Sequence, residues 1–184
     1  MEKKIITIPN ILSMLRLCLI PAFVWLYVAK EAYYLTAGVL LLSGITDLVD
    51  GFVARRFHMV SDFGKALDPV ADKLTQAAML FCLVVRFPMM WIPLVLLTIK
   101  EVSTGVIALL VVKKSGVVKG AVWHGKVTTA LLYAVMLLHL IWYTIPLTVS
   151  GILIGLCVLM MLYSWVLYGW YNIKSLSGKG QSKE

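Results

Sequence analysis

Asp47 and Asp50 stand three residues apart, and Asp68 and Asp72 four apart, in a chain that is otherwise rich in apolar residues. At those spacings each pair shares one face of its own helix. Carboxylates are costly near a bilayer and mark functional positions there. Of the chain's 9 acidic residues, 5 fall between positions 47 and 72. Four carboxylates brought together repel one another unless cations sit between them. An all-oxygen donor set suits Mg²⁺ or Mn²⁺, and two such cations can be shared among Asp47, Asp50, Asp68 and Asp72. Cations held this way clamp phosphate oxygens and stabilise charge during displacement at phosphorus. A carboxylate not saturated by metal can take the proton of an attacking hydroxyl. Gly51 and Ala54 let a ligand approach the backbone, and Arg55 suits a phosphate or a nucleobase. Asp62 reads as a solvated loop charge. A calcium loop is excluded, because its alternate oxygen ligands and closing glutamate are missing.

The elements that must position these acids are helices in a membrane. Hydrophobic residues make up 61% of the 184, and the mean hydropathy is +0.92, far above an ordinary soluble domain. The sequence predicts an all-α polytopic membrane protein with six transmembrane helices. They span about 11–29, 33 to just beyond Asp50, 64–85, 89–112, 124–143 and 146–168. Pro69 is expected in the first turn of the third helix, where no donor is lost. A short loop at about 56–63 makes the second and third helices antiparallel neighbours, so that their carboxylates converge. Residues 1–174 form one transmembrane domain, and 175–184 form a polar tail. No cleavable signal peptide is evident.

Charge placement gives the orientation. One set of loops and tails holds Lys3, Lys4, Arg55, Arg56, Lys65, Lys113, Lys114, Lys119, Lys174, Lys179 and Lys183, and the other holds only Lys30 and Arg86. Both termini and the acidic grid are therefore expected on the cytoplasmic side. Trp25, Tyr27, Tyr33, Tyr34, Trp91, Trp142 and Tyr143 gather toward the opposite interface, as anchoring aromatics do. The net charge of +8 lies mostly in loops and tails, where topology and anionic lipid account for it. No nucleic-acid module is present, and none is expected as a partner. Cys18, Cys82 and Cys157 lie singly in apolar runs and suit neither a metal site nor a disulfide framework. A cation path is disfavoured, because the acids gather on one side of the membrane only.

The string Asp47-x2-Asp50-Gly51-x2-Ala54-Arg55-x8-Gly64-x3-Asp68-x3-Asp72 resembles the full signature of the CDP-alcohol phosphatidyltransferase family. Residues 8–16, Ile-Pro-Asn-Ile-Leu-Ser-Met-Leu-Arg, resemble the family's opening helix. Residues 67–73, Leu-Asp-Pro-Val-Ala-Asp-Lys, resemble the branch containing phosphatidylglycerophosphate synthases and CMP-forming cardiolipin synthases. The similarity covers roughly residues 5–170. It implies that an alcohol attacks the phosphorus carrying diacylglycerol in CDP-diacylglycerol and expels CMP. By this resemblance Asp47, Asp50 and Asp68 bind metal, and Asp72 is both metal ligand and catalytic base. Gly51, Ala54, Arg55 and Gly64 would line the CDP pocket, with Asn10, Ser13 and Arg16 supporting the diphosphate. The resemblance also implies a homodimer in a bacterial inner membrane, with its active site facing the cytoplasm.

The acceptor is expected to be glycerol 3-phosphate, giving phosphatidylglycerol phosphate, with phosphatidylglycerol as the alternative in cardiolipin synthesis. A phosphate-bearing acceptor needs fixed cations. Lys73 follows Asp72 directly. Lys100 lies deep in the fourth helix beside Glu101, where an isolated charge is costly. Lys126 lies in His124-Gly125-Lys126-Val127-Thr128-Thr129, which resembles a Gly-Lys-x-x-Thr segment of phosphatidylglycerophosphate synthases. Those enzymes usually carry Arg-Glu where this chain has Lys100-Glu101, and lysine keeps the charge without the bidentate fork. His139 reads as a packing residue and His58 as loop surface.

Overall fold

The computed structural model describes residues 8–56, 62–115, 123–142 and 144–176. Among them all regular structure is helical, with no strand. The helices are α1 (Ile8–Val28), α2 (Tyr33–Arg56), α3 (Asp62–Val84), α4 (Trp91–Ser115), α5 (Trp123–Ile141) and α6 (Leu147–Leu176), with one 3₁₀ turn at Pro88–Met90 before α4. All six expected helices form. α6 runs past the expected end near Tyr168 and takes in the first two residues of the expected polar tail. α3 begins two residues earlier than expected, so Pro69 falls in the helix interior rather than its first turn. There it removes one intrahelical donor.

Local chemistry sets the helix ends. α1 stops where Glu31 takes a positive φ of 50° and the Ala32 amide donates back to the Leu26 carbonyl at 3.0 Å. That bond back into the last turn and the left-handed residue close a helix C-terminus, here without the usual glycine. α2 starts on the Ala32 carbonyl, which accepts from both the amide (2.9 Å) and the hydroxyl (3.0 Å) of Thr36. The hydroxyls of Thr46, Thr75, Thr98 and Thr104 likewise donate to carbonyls four residues back. In a medium without water, this satisfies a polar group without a second helix.

Exposed side chains are large and apolar, while many buried ones are polar. Val85, Leu147 and Leu109 are among the most exposed residues, and Asn10, Ser13, Arg16, Thr36, Ser43, Thr75, Gln76 and His139 are buried. That inverts the pattern of a water-soluble protein and suits a lipid-facing surface. Among the described residues, four stretches can cross a membrane by length and composition: Asn10–Val28, Pro88–Ile107, Trp123–Ile141 and Leu147–Trp170. The sequence led to an expectation of six. α2 and α3 fall short because their ends carry the acids and bases of the site, which lower the mean hydropathy. These are the features of an integral membrane protein.

The chain divides into two compact units. The first holds α1, α2, α3 and the C-terminal end of α5. Within it, α1 packs closely against both α2 and α3. α2 and α3, expected as direct neighbours, make little close backbone contact with each other among the described residues. α1 therefore joins them. Phe23 and Tyr27 of α1, Ala37 and Leu40 of α2, and Met79, Leu80 and Leu83 of α3 supply its apolar core. The His139 ring meets Phe87 edge-on at 4.9 Å, in the packing role expected of it. The second unit holds α4, most of α5 and α6. α4 packs on α6, and the Trp165 indole N–H donates to the Ser103 hydroxyl at 2.9 Å.

Candidate active site

Each helix of the first unit carries polar side chains along one end of its buried face. On α1 these are Asn10, Ser13 and Arg16, three residues apart and all buried. Farther along the same helix, Phe23 and Tyr27 take over. On α2 the order reverses with chain direction, from Ala37 and Leu40 to Ser43, Thr46 and Asp47. On α3, Asp68, Asp72 and Gln76 follow at four-residue spacing and give way to Met79, Leu80 and Leu83. Helical periodicity thus stacks polar residues at one end of the unit and apolar residues at the other.

The acids meet there through α1. The Arg16 guanidinium lies 2.6 Å from Asp47, Nη1 to Oδ1. The Ser13 hydroxyl donates to Asp68 Oδ1. One turn of α1 thus touches a carboxylate from α2 and another from α3. The Arg16 side chain is 0% exposed and that of Asp47 is 40% exposed, so the arginine stands behind the carboxylate and leaves an edge of it open. Asp68 and Asp72 also lie within Coulombic reach of Asp47. A third helix thus touches one acid from α2 and one from α3; Asp50, the fourth acid of the expected set, has its side chain outside the described residues.

Asp72 has partners on its own helix. The Gln76 amide donates to Asp72 Oδ2 at 2.9 Å, and the Lys73 ammonium lies 3.5 Å from the same oxygen. Lys73 also donates to the Gln76 carbonyl oxygen at 3.4 Å. Gln76 is fully buried. It was not among the site residues expected from sequence, although it extends the 68–72 spacing by one further turn. Gly64 is buried in α3. The side chains of Asp50, Ala54 and Arg55, and the surroundings of Gly51, lie outside the described residues, although the backbone there continues α2.

In the second unit, Lys100 is buried and its ammonium lies 3.1 Å from the neighbouring Glu101 carboxylate. Lys126 is exposed at the start of α5. His124 Nδ1 lies 3.2 Å from the Ser164 hydroxyl, and Thr128 bonds to the His124 carbonyl at 2.9 Å.

The donor chemistry of Asp47, Asp68 and Asp72, carboxylate oxygens with open edges, fits a hard divalent cation. Among the described residues no three acid, histidine or cysteine side chains stand close enough to coordinate one ion together. Asp50, one helical turn from Asp47, is the acid outside that set.

Comparison with known proteins agrees with this chemistry. The family model described as CDP-alcohol phosphatidyltransferase matches residues 6–170. A cardiolipin synthase (CMP-forming) of Streptomyces coelicolor is 42% identical over 102 residues, 51% of this chain and 46% of that protein. A CDP-diacylglycerol–glycerol-3-phosphate 3-phosphatidyltransferase of Pseudomonas fluorescens is 39% identical over 89 residues, 47% of this chain and 46% of its own. One of the same name from Rickettsia bellii is 34% identical over 96 residues, 51% of this chain and 53% of its own. The matches span about half the length of these relatives.

Proposed function

Because this chain belongs to the CDP-alcohol phosphatidyltransferase family, we propose that it works in phospholipid biosynthesis, moving the phosphatidyl group of CDP-diacylglycerol to glycerol 3-phosphate. The products are CMP and phosphatidylglycerol phosphate. The reading rests above all on Asp47, Asp68 and Asp72, which share the polar end of one helical unit.

Asp47, Asp50, Asp68 and Asp72 would hold two divalent cations, Mg²⁺ or Mn²⁺, whose chemistry is to neutralise diphosphate oxygens and ease departure of CMP. Asp72 accepts the proton of the acceptor hydroxyl as its oxygen bonds to the phosphorus carrying diacylglycerol. The bond from that phosphorus to the bridging oxygen breaks, and the electron pair leaves with CMP. Gln76 and Lys73, both on Oδ2 of Asp72, hold its carboxylate in one orientation. Gly51, Ala54, Arg55 and Gly64 take the CDP moiety, and Asn10 closes that pocket on α1. Lys73, Lys100 and Lys126 supply positive charge for the acceptor phosphate. All six helices cross a bacterial inner membrane, with both termini and the acids cytoplasmic, and the chain works as a homodimer.

One observation favours phosphatidylglycerol as the acceptor instead. Lys100 already has a carboxylate at 3.1 Å, which weakens it as a clamp on a dianionic phosphate, and the Streptomyces coelicolor relative is named a cardiolipin synthase. The deciding experiment measures CMP release from CDP-diacylglycerol with Mg²⁺ or Mn²⁺, adding each acceptor separately. Release with glycerol 3-phosphate supports the first reading. Release with phosphatidylglycerol alone moves the protein to cardiolipin synthesis. No release with either acceptor overturns both.

A further inference from the structure

We propose that Ser13 and Arg16 of α1 and Gln76 of α3 are positioning residues, which hold the carboxylates of Asp68, Asp47 and Asp72 from their buried side. α1 is then the template that assembles a cation site from two helices that make little close contact with each other among the described residues. This deepens the function proposed above and rests on its reading of the aspartates as cation ligands.

Accessibility carries the argument. Ser13, Arg16 and Gln76 are each 0% exposed, whereas Asp47, Asp68 and Asp72 are all partly open. A lipid diphosphate arriving at the open edges meets the carboxylates and cannot reach side chains sealed behind them. Each buried group instead meets one carboxylate oxygen, Ser13 and Gln76 by a hydrogen bond and Arg16 as an ion pair. Ser13 donates to Asp68 Oδ1, Arg16 Nη1 lies on Asp47 Oδ1, and Gln76 Nε2 donates to Asp72 Oδ2. Donors of this kind fix a carboxylate's rotamer and so the direction in which it meets a cation. They also explain why a full positive charge is tolerated deep among helices, because Arg16 has its counter-charge within 2.6 Å. The reading moves Ser13 and Arg16 from direct support of the diphosphate to the layer behind the acids.

The test uses full-length protein in detergent and titrates Mn²⁺ by electron paramagnetic resonance without any lipid substrate. Thermal unfolding in EDTA is followed alongside. Ser13→Ala and Gln76→Leu should each weaken Mn²⁺ binding on the order of 10-fold, with the EDTA unfolding midpoint unchanged. Ser13→Thr should restore binding, and Arg16→Lys should weaken it, because one ammonium cannot replace a planar fork. Should Arg16→Lys fail to fold, the Ser13 and Gln76 variants decide alone. Parental Mn²⁺ affinity with a raised KM for CDP-diacylglycerol would overturn the proposal and return these residues to the lipid, leaving the enzymatic reading intact. Equal losses in EDTA stability and Mn²⁺ binding in the Ser13 and Gln76 variants would overturn it in favour of general packing. A parent protein that binds no Mn²⁺ would overturn both the proposal and the functional reading beneath it.

Discussion

The unit of α1, α2 and α3 joins charged groups across helices as well as within one, whereas the described ion pair of the unit of α4, α5 and α6 lies within one helix. In the first, Arg16 reaches from α1 to Asp47 on α2, and Ser13 reaches to Asp68 on α3. In the second, Lys100 meets its immediate neighbour Glu101, and among the described residues the contacts between helices are hydrogen bonds. Trp165 donates to Ser103, His124 meets Ser164, and Thr128 lies within 3.4 Å of the Met160 carbonyl oxygen. A charge pair spanning two helices fixes their register, because sliding either one leaves a buried charge alone. A pair within one helix imposes no such constraint. The first unit thus fixes the register of its helices through charge, and the second carries Lys100 without that constraint.

That contrast can be broken most sharply at Asp72. Asp72→Asn removes the proton acceptor and a metal oxygen together, and CMP release should fall about 1,000-fold or more. Near-normal turnover in a CMP-release assay would take Asp72 out of the mechanism. Arg16→Met tests the pair between helices. It leaves Asp47 without its guanidinium and should cost about 3 kcal/mol, the low end for breaking a buried pair, because Asp47 keeps an open edge. Thermal unfolding in mild detergent without metal reads the loss, and an unchanged midpoint would show that the pair carries no register. The matching change in the second unit, Lys100→Met, should cost about 1 kcal/mol or less, because Glu101 is 30% exposed and can be solvated. Its main effect should be a higher KM for a phosphate-bearing acceptor with kcat little altered. Trp165→Phe should do least. It removes one neutral hydrogen bond, worth about 1 kcal/mol, and Mn²⁺ affinity should stay at the parental value.

Much of this was legible in the linear chain. Asp47, Asp68 and Asp72 announced themselves by helical spacing among apolar residues, and spacing depends only on the geometry of one helix. The helix count followed from apolar length, and the burial of Lys100 from its depth in an apolar run. His139 was recognisable as a packing residue for the same reason. Length and composition alone mark four of the six helices as spans among the described residues, because the residues expected to make α2 and α3 functional are the ones that lower their hydropathy. Gln76 was missed, although it continues the 68–72 line, because an amide amid apolar residues carries no charge to mark it. Ser13 and Arg16 were singled out through the opening helix they resemble, but not with the partners they have.

What belongs to the sequence alone is the set of acids, their spacing and the oily helices that carry them. A short connection between α2 and α3 suggests neighbours, yet connection length does not settle which faces meet. That depends on side-chain shape and on where each buried donor finds an acceptor, which is a property of three helices at once. Only the tertiary structure placed α1 in contact with both α2 and α3 and aimed Ser13 and Arg16 at carboxylates that lie 55 and 31 residues away in the chain.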